Sequence, residues 1–502
     1  MKTGRMVLLA ALVLFFGAYS APAATIIVNP GDSIQNAINA APDGSTIKIK
    51  AGTYTEEITI NGRSRLKLIG AGAGKTIING AGGSGSVVTI TASKRITLQQ
   101  CTIKNGVADN VFIDDSHGVK ILRNEITAAT NQGIEGLGTN LVIQSNQIGA
   151  NVVLGILVGG YHNLIVKNTI TGNGNGIMDY GSSDKIIKNT VYNNTGDGII
   201  IQFGPVKTQL NTVTKNGGFG IHEAGGSAHQ NVYMKNIVQW NSADGIYVSA
   251  GAMVIKNTVT DNTGDGIGGW GPGNTLIGNI IKDNNGNGIY LVADGHYLKG
   301  NLVAGNDGQG IYIDASNGGT LTVTGMSQVL KNKVLNNGGS GVELDSGTLS
   351  IVSNNFCAGN PGWGIWGGSN SIAVIYTKNK VNNNLGGLAM TANGVLDYIA
   401  RNIVANNVVF GIHANGGQMM TFEKNVIIGN GTGLLGFGSS LVSRNKITNN
   451  GGNGIDASSG GSSLIRKNIV KGNGDGAATF DLYDSSPTDD WWQKNQYLTE
   501  NL

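Results

Sequence analysis

The sequence predicts an all-β fold, a single-stranded right-handed parallel β-helix (a solenoid) with an N-terminal capping helix. Three observations predict it. An Asn-containing unit recurs along most of the 502 residues at a spacing of about 23 residues, apolar and polar residues alternate within each unit, and no stretch with helical periodicity interrupts the repeat. Units of this length stack as parallel strands, because each can bury its apolar face only against its neighbours.

The repeat contains two asparagines, in the pattern Asn-x-(apolar)-x-x-Asn. Successive copies of the first Asn are mostly 21 to 25 residues apart, with one long step of 31 residues from Asn301 to Asn332. From Asn146 onward, all fifteen copies have the second Asn five residues later. A buried amide is costly unless it is hydrogen-bonded, so the recurrence predicts an internal ladder in which each amide bonds its copies in neighbouring coils. Cys101 occupies the ladder position one coil before Asn124 and is predicted to end that row.

The residues between the asparagines have the alternation of strands with one buried face. Val166, Asn168 and Ile170 are predicted to point inward, whereas Lys167 and Thr169 point outward. Residues one repeat apart then stack above each other on the outside, so outward columns, rather than local motifs, are where a functional surface is expected.

A solenoid has two open ends that need covering. At the first end, Ser33–Ala41 has the pattern of one amphipathic helix, with Asp32 or Ser33 as its N-cap. At the other end, Trp491 and Trp492 are available to cover the last coil. The expected organisation is a signal peptide at 1–24, an N-terminal cap with the first strands at 25–60, coils at 61–479 and a C-terminal cap at 480–502.

The first 24 residues have the composition of a secretory signal. Lys2 and Arg5 precede the apolar run Met6–Ala18, and the small residues of Ala21–Ala24 suit cleavage. The alternative is an N-terminal anchor, but the run is shorter than the ~20 residues that a span needs. We therefore expect a secreted, periplasmic or cell-surface protein with no transmembrane span after cleavage. Without Lys2 and Arg5 the net charge falls from +3 to +1, which gives no basis for a nucleic-acid partner.

The two cysteines are predicted to be free. Cys101 and Cys357 lie eleven coils apart in the repeat, which at ~4.8 Å per coil is about 50 Å. A disulfide needs Cα atoms within about 7 Å of each other, so two buried thiols are expected.

The opening of the repeat resembles that of pectin-lyase-like proteins. The resemblance is carried by Ser33–Gln35, Ile47–Glu57 and Leu68–Gly70, and the later coils are similar to the carbohydrate-binding and sugar-hydrolase repeat family, which includes periplasmic copper-processing proteins. It covers nearly the whole mature chain and implies the fold. It does not imply one activity, because this fold carries lyases, hydrolases, esterases, epimerases and non-enzymes, and the signature motifs of its esterases, polygalacturonases and alginate epimerases are missing here.

The first outward column is the residue before each first-row Asn, and we call it the basic ribbon. Of seventeen such positions, counting the one before Asn495, twelve are cationic: Arg123, Lys167, Lys188, Lys235, Lys256, Lys331, Lys378, Arg401, Lys424, Arg444, Lys467 and Lys494. One reading is a surface for an acidic polysaccharide. The other is a solubilising stripe neutralised by nearby acids: Asp197, Asp244, Asp265 and Asp283.

The second outward column belongs to the strand that opens with Gly and an apolar residue, and we call it the aromatic column. The residues predicted to bind substrate lie in it or beside it: His222, Glu223, Tyr247, Trp270, Tyr290, Tyr312 and Trp366. Aromatic faces suit sugar rings, and the resemblance places this column on the sheet where substrate clefts lie. The alternative is that these rings only stack on one another.

Acidic residues cluster beside the aromatic column. The predicted catalytic residues are Asp314, Asp345, Glu343 and His296. Asp314 and Asp345 occupy equivalent places in successive coils and are expected about 5 Å apart, near the carboxyl separation of retaining glycosidases; like charges so close raise one pKa, as a general acid requires. The long step inserts Ser316–Met326 next to them. The alternative is a set of ordinary solvated acids at strand ends.

Three functions remain open from the sequence. The first is an exported carbohydrate-active or carbohydrate-binding protein acting on an acidic polysaccharide, and an enzyme of this kind would be a polysaccharide lyase or a glycoside hydrolase. The second is a non-catalytic cell-surface or envelope protein with a structural or adhesive role. The third is metal-protein maturation, for which His413, Met419 and Met420 form the one group of soft ligands. No cofactor is predicted, and calcium is left open as a bound ion.

Overall fold

The structure is a computed structural model that describes residues 22–226, 230–315, 326–345, 348–368, 372–390, 394–459, 461–474, 478–485 and 490–501. These residues form a right-handed parallel β-solenoid of about 19 turns, with one α-helix in the described part of the chain. The predicted fold class is confirmed. Residues 1–21 of the predicted signal peptide lie outside the described residues, as do residues 316–325 of the predicted insertion.

Each coil contributes one strand to each of three parallel sheets, which we name in chain order from the first-row Asn. Sheet A precedes that Asn, and its strands are Thr25–Val28, Thr46–Ile49, Lys67–Ile69, Thr97–Gln99, Lys120–Leu122, Val142–Gln144, Leu164–Val166, Lys185–Ile187, Lys207–Gln209, Val232–Met234, Met253–Ile255, Thr275–Ile277, Tyr297–Lys299, Gln328–Leu330, Ile351–Ser353, Ile375–Thr377, Tyr398–Ala400, Thr421–Glu423, Leu441–Ser443, Leu464–Arg466 and Trp491–Gln493.

Sheet B lies between the first and second Asn of the repeat. Its strands are Gly52–Thr55, Thr76–Asn79, Thr102–Lys104, Glu125–Thr127, Gln147–Gly149, Thr169–Thr171, Thr190–Tyr192, Thr212–Thr214, Ile237–Gln239, Thr258–Thr260, Ile280–Lys282, Leu302–Ala304, Lys333–Leu335, Phe356–Ala358, Lys380–Asn382, Ile403–Ala405, Val426–Ile428, Lys446–Thr448 and Ile469–Lys471.

Sheet C follows the second Asn and contains the strands that open with Gly and an apolar residue. Its strands are Ile58–Asn61, Val88–Thr91, Val111–His117, Gln132–Thr139, Leu154–Val158, Asn175–Asp179, Ile199–Ile201, Ile221–Glu223, Ile246–Val248, Ile267–Gly269, Ile289–Val292, Ile311–Asp314, Val342–Asp345, Trp363–Gly367, Gly386–Met390, Phe410–Gly417, Thr432–Phe437, Ile455–Asp456, Leu482–Tyr483 and Glu500–Asn501.

The asparagine ladder is confirmed, and its geometry gives both the nitrogen and the oxygen of the side-chain amide hydrogen-bond partners. Asn168 donates from Nδ2 to Asn189 Oδ1 (3.0 Å) and to the backbone carbonyl of Ile143 (2.9 Å), while its backbone N–H donates to the same Asn189 Oδ1 (2.9 Å). Its own Oδ1 accepts the equivalent two bonds from Asn146. Because every rung of the first row repeats this pattern, a side chain that is expensive to bury unpaired fixes the register of each coil on the next.

The ends of the first ladder are also as predicted. The backbone N–H of Cys101 donates to Asn124 Oδ1 (3.0 Å), so Cys101 closes the row. Asn495 accepts from Asn468 and continues the row into the last coil. Cys101 and Cys357 are both buried and free, which confirms the prediction of two unpaired thiols.

A third polar row, which the sequence analysis missed, runs along the corner between sheets C and A. In this row an inward side chain accepts a hydrogen bond from the backbone N–H of the preceding coil, as Asp184 does from Asn163 (2.7 Å) and Asn274 does from Ala252 (2.9 Å). The accepting residues of this row are Asn, Asp, Ser and one His. The row was hidden because its members differ in residue type, whereas the other two rows are almost entirely Asn.

The N-terminal end is covered by a helix as predicted. The helix Ile34–Ala40 has Ser33 as its N-cap, with Ser33 Oγ accepting from the backbone N–H of Asn36 (3.1 Å). The Glu56 carboxylate accepts from the backbone N–H of Ile34 (2.7 Å), placing a negative charge at the positive end of the helix. No helix in the described part of the chain is long and apolar enough to cross a membrane.

The C-terminal residues continue the sheets instead of only capping them. Trp491–Gln493 pairs with Leu464–Arg466 as the last strand of sheet A. Trp492 packs against the core, but Trp491 is 68% exposed. Only one of the two tryptophans therefore covers the last coil, because neighbouring residues on a strand point to opposite faces.

Candidate functional site

The outer face of sheet C aligns the predicted aromatic column in register. Successive Cα partners along this column are His222, Tyr247, Gly268, Tyr290, Tyr312, Glu343, Trp366, Ala389 and His413. Trp270 lies two residues beyond Gly268 and is 58% exposed. Side chains that are up to about 190 residues apart in sequence thus share one surface.

Aromatic rings pack on this face in separate groups. The rings of Tyr290 and Tyr312 are stacked, with centroids 5.2 Å apart and 26° between their planes. A second group lies in the coils before this pair. There the centroid of the His222 ring lies 4.4 Å from that of Phe219 and 5.8 Å from that of Tyr247. These are distances at which aromatic pairs stabilise each other, so part of the column does stack on itself.

Gly268 is the gap between the two groups, and its missing side chain has a structural reason. A Cβ at this position would lie 2.4 Å from Asp244 Oδ2 and 3.1 Å from the Tyr247 ring. Glycine therefore leaves room for the ring and the carboxylate of the preceding coil. The flat surface offered by Tyr290 and Tyr312 begins one coil later.

Three carboxyl groups lie beside the stacked tyrosines. Asp314 and Asp345 are Cα partners on adjacent strands, and Glu343 is the partner of Tyr312 in the aromatic column. Burial raises the pKa of Glu343 to about 7, with the charge of Asp345 adding to the rise and a hydrogen bond with Gln309 opposing it. Glu343 is thus a carboxyl group that holds a proton near neutral pH.

The same acids perturb the neighbouring phenol. Burial, together with the smaller effects of the charges of Asp314, Glu343 and Asp345, raises the pKa of Tyr312 to about 12. Tyr312 therefore keeps its proton at neutral pH and can serve as a hydrogen-bond donor to a ligand. It is not suited to abstract a proton there.

A fourth polar row, which was also not predicted from the sequence, borders the aromatic column. Asp197, Asp244 and Asp265 each accept from a backbone N–H of the following coil, at 2.8, 2.8 and 2.6 Å. Asp197 also contacts His222, with 2.9 Å between Oδ2 and Nδ1. Burial raises the pKa of Asp244 to about 6, and the charge of Asp265 adds to the rise. The recurrent Asp-Gly before the strand was the available signal.

Among the described residues, neither these three aspartates nor Asp283 forms an ion pair with the basic ribbon. They border sheet C, whereas the ribbon lies on the corner between sheets A and B, the one corner that does not adjoin sheet C. Among the described residues, the ribbon's only ion pairs are those of Lys424 and Arg444 with Glu423, at 3.0 and 3.2 Å.

Two of the predicted site residues point into the solenoid. Glu223 is 1% exposed and accepts from Asn231 Nδ2 (2.9 Å) and the Tyr233 hydroxyl (3.0 Å). His296 is fully buried in the third polar row, where the backbone N–H of Asn274 donates to its Nδ1 (3.3 Å). Burial lowers the pKa of His296 to about 4. Neither side chain reaches the outer face, so neither is placed to contact a surface ligand.

The three residues of the predicted soft-ligand group have different surroundings. His413 packs edge-on against Phe410, with centroids 4.9 Å apart, while Met420 is buried and Met419 is 55% exposed. In the part of the chain that the structure describes, no three His, Cys, Asp or Glu side chains are grouped as ligands for a metal ion.

The chain was compared with curated proteins and with solved structures. No curated protein matches the sequence significantly. Among solved structures, the A-module of the mannuronan C-5 epimerase AlgE6 from Azotobacter vinelandii is 18% identical with a TM-score of 0.44, covering 61% of this chain and 88% of its own. An alginate lyase from Paenibacillus sp. is 14% identical (TM-score 0.35; 58% and 99% covered), and the pectate lyase Pel9A is 15% identical (TM-score 0.30; 67% and 78% covered).

A family comparison covers most of the chain. The family described as right handed beta helix region matches residues 86–236, 230–384, 298–440 and 376–490, which together span the coils that carry the asparagine ladders. The resemblance to pectin-lyase-like right-handed parallel β-helices, inferred from the sequence, is confirmed. The chain belongs to the right handed beta helix region family.

Proposed function

We propose that this protein binds an acidic polysaccharide along the outer face of sheet C and hydrolyses it there. The observation that carries the proposal is the stacked pair Tyr290 and Tyr312 lying beside Asp314, Glu343 and Asp345. The first two residues offer a surface for sugar rings, and the last three offer the acid and base groups for cleavage.

The binding part rests on shape and polarity. Two tyrosine rings that are tilted by only 26° and lie in successive coils present a nearly continuous apolar surface with hydroxyl groups at its edge. A pyranose ring has an apolar face and a polar rim, so it packs on such a surface as aromatic side chains do on one another. Trp366, one coil beyond Glu343, extends the surface past the carboxyl groups.

The chemical part rests on unequal carboxyl groups. Hydrolysis of a glycosidic bond needs one protonated carboxyl to donate to the leaving oxygen and one carboxylate to attack the sugar or activate water. Glu343, whose pKa is raised to about 7, is the proposed acid. Asp314 or Asp345 is the proposed carboxylate, since both lie in the adjoining column.

An acidic polymer is compatible with this face at mildly acidic pH. The pKa of Glu343 is raised to about 7 and that of Asp244 to about 6, so below pH 6 Glu343 is mostly protonated and Asp244 is more than half protonated. Charge repulsion with a polyuronate is then reduced. The predicted signal peptide is consistent with a polysaccharide substrate outside the cell membrane, and we propose a secreted, periplasmic or cell-surface location.

The test is an activity screen with matched variants. Wild type, Glu343→Gln and Glu135→Gln are incubated with polygalacturonate, alginate and neutral glucans, and both new reducing ends and ultraviolet-absorbing unsaturated ends are measured. Glu135 is the control because it occupies the aromatic-column position of an earlier coil, far from Tyr290. We expect reducing ends from a uronate polymer, a loss of at least 100-fold in Glu343→Gln, and wild-type rates in Glu135→Gln.

The other outcomes are equally informative. Unsaturated ends would identify a lyase and overturn the assignment of Glu343 as the acid of a hydrolase. Binding without any product would favour the second candidate, a non-catalytic surface protein, which the regularity of the coils also suits. If no polymer of the panel is bound and none gives a product, the proposal is overturned.

A further inference from the structure

The two asparagine corners of each coil have the same backbone but different residues. All seventeen residues that precede a first-row Asn, between sheets A and B, have φ between 53° and 65°. The fifteen residues that precede a second-row Asn, between sheets B and C, also have positive φ, from 50° to 69°. Each corner thus places one residue in the left-handed region directly before the ladder Asn.

The corner between sheets B and C has the residues that this backbone favours. Glycine and asparagine adopt positive φ most readily, and ten of the fifteen positions are Gly or Asn: Gly172, Asn193, Gly305, Asn336, Gly359, Asn383, Asn406, Gly429, Asn449 and Gly472. Only one, Lys215, is cationic. The corner between sheets A and B has three Gly or Asn, at Gly278, Gly300 and Asn354, against twelve Lys or Arg.

Backbone conformation therefore does not explain the basic ribbon. Lysine and arginine are strained in the left-handed region relative to glycine, and like charges one coil apart repel each other. All twelve cationic residues are exposed, and ten of them have no ion pair among the described residues. The basic ribbon therefore destabilises the fold through backbone strain and through charge repulsion, and few ion pairs within the described residues offset these two effects.

We infer that the basic ribbon is a second and separate binding surface, which anchors the protein to an acidic polysaccharide along the edge between sheets A and B, while sheet C acts on other segments of the polymer. This inference deepens the proposed function by assigning the surface that recognises the negative charges. The cations repeat once per coil, at about 4.8 Å, a spacing similar to that of carboxylates along a polyuronate. Duplex DNA carries its charges at about 3.4 Å per strand, and the ribbon has no aromatic residues interleaved for bases.

The strongest part of the surface is the C-terminal end of the ribbon. Six successive coils each contribute one cation there: Lys378, Arg401, Lys424, Arg444, Lys467 and Lys494. Five steps of about 4.8 Å make this run about 24 Å long, enough for several sugar units. Glu423 neutralises part of it by pairing with Lys424 and Arg444, whereas Lys378, Arg401, Lys467 and Lys494 have no ion pair among the described residues.

The experiment measures binding of polygalacturonate by the full chain as a function of salt. The ribbon variant is Lys378→Asn, Arg401→Asn and Lys467→Asn, because Asn suits the left-handed backbone and none of these three cations has an ion pair among the described residues. The control variant removes the same charge from exposed lysines outside the ribbon, by Lys48→Asn, Lys75→Asn and Lys185→Asn. We expect the ribbon variant to lose at least 10-fold in affinity at low salt, with a slope of log Kd against log salt lower by about two to three, and the control to lose less than 2-fold.

Three readouts separate this inference from the alternatives. The melting temperature of the ribbon variant should be equal to or above that of wild type; a drop of several degrees would show that the cations stabilise the coils and would overturn the inference. Equal losses in ribbon and control variants, or loss of binding to anionic vesicles without loss of polygalacturonate binding, would also overturn it. Tyr312→Ala should leave the salt slope unchanged, so failure of the sheet C site is distinguished from failure of the ribbon.

Discussion

The ring of Tyr312 stacks on the ring of Tyr290, with 5.2 Å between their centroids. The two residues come from successive coils, and they meet because sheet C pairs them directly. Their contact shows how the solenoid converts a repeat in sequence into a surface. The contribution of that surface to the affinity for a ligand can be measured by removing one of the two rings.

Replacing Tyr312 with alanine should weaken oligosaccharide binding by about 3- to 10-fold, equivalent to roughly 0.5–1.5 kcal/mol of aromatic packing. Titration calorimetry with an oligouronate measures the change. Tyr161→Ala is the matched control, because Tyr161 is an exposed tyrosine (59%) that lies outside the aromatic column. Equal weakening in both variants would contradict a specific role for the stacked pair.

Removing one ladder amide should destabilise the solenoid strongly. In Asn279→Ala, the backbone N–H and the Nδ2 of Asn257 both lose their acceptor, and the carbonyl of Val254 loses its donor. At about 1–3 kcal/mol for each buried polar group left unpaired, we expect the free energy of unfolding to fall by roughly 2–5 kcal/mol. Thermal unfolding compares it with Asn285→Ala, an exposed asparagine of the next corner, which should change the melting temperature little.

Stability should fall as pH rises, because two carboxyl groups are buried together. Burial raises the pKa of Asp179, and the neighbouring Asp184 raises it further. A carboxyl whose pKa is higher in the folded than in the unfolded protein stabilises the fold at low pH, and this stabilisation is lost as pH rises through the folded value. Asp179→Asn, whose amide oxygen can still accept from the Gly181 N–H, should therefore be more stable than wild type at pH 8 and show a flatter pH dependence.

Denaturant unfolding at several pH values tests this prediction. Asp261→Asn removes an exposed carboxylate and is the control, which should keep the wild-type pH dependence. A lower stability of Asp179→Asn at pH 8 would contradict the account of this pair.

His296 should be replaceable by a residue that keeps its hydrogen bond. Asn occupies the same row at Asn163, Asn231 and Asn274, so His296→Asn should retain nearly the wild-type melting temperature and the wild-type affinity for an oligouronate. His296→Ala leaves the N–H of Asn274 without its acceptor and should cost about 1–3 kcal/mol. Loss of binding or activity in a well-folded His296→Asn would restore a functional role for this histidine.

Affinity for an acidic polymer should decrease as pH rises from 6 to 8. The pKa of Glu343 is raised to about 7, mainly by burial, so this group gains its negative charge within that range. Glu343→Gln should bind an oligouronate with an affinity that varies much less between these two pH values. An unchanged pH dependence in the variant would show that other groups govern it.

The asparagine ladders could be predicted because one residue type serves one purpose in every coil. The third polar row could not, since Asp184, Asn274 and His296 accept the same kind of backbone hydrogen bond with different side chains. The same difficulty explains why His296 and Glu223 were assigned to a surface site. Both are polar, but both side chains form hydrogen bonds with buried groups.

The aromatic column was visible as a set of residues, but its contacts were not. The repeat length sets which residues share a column, so Tyr290 and Tyr312 could be aligned from the sequence alone. The burial of Glu343 depends on neighbours from three coils, and its raised pKa follows from that packing. The positions of the Asp197, Asp244 and Asp265 side chains depend on the direction in which each points at the turn before sheet C. Repeat spacing alone does not define that direction.

The most direct measurement is a crystal structure of the full chain with Glu343→Gln, soaked with an oligouronate of several units. We expect sugar rings packed on Tyr290 and Tyr312, with a glycosidic oxygen within hydrogen-bond distance of residue 343 and a carboxyl oxygen of Asp314 or Asp345 facing the same linkage. An oligouronate bound only elsewhere, with the outer face of sheet C empty at saturating concentration, would contradict it.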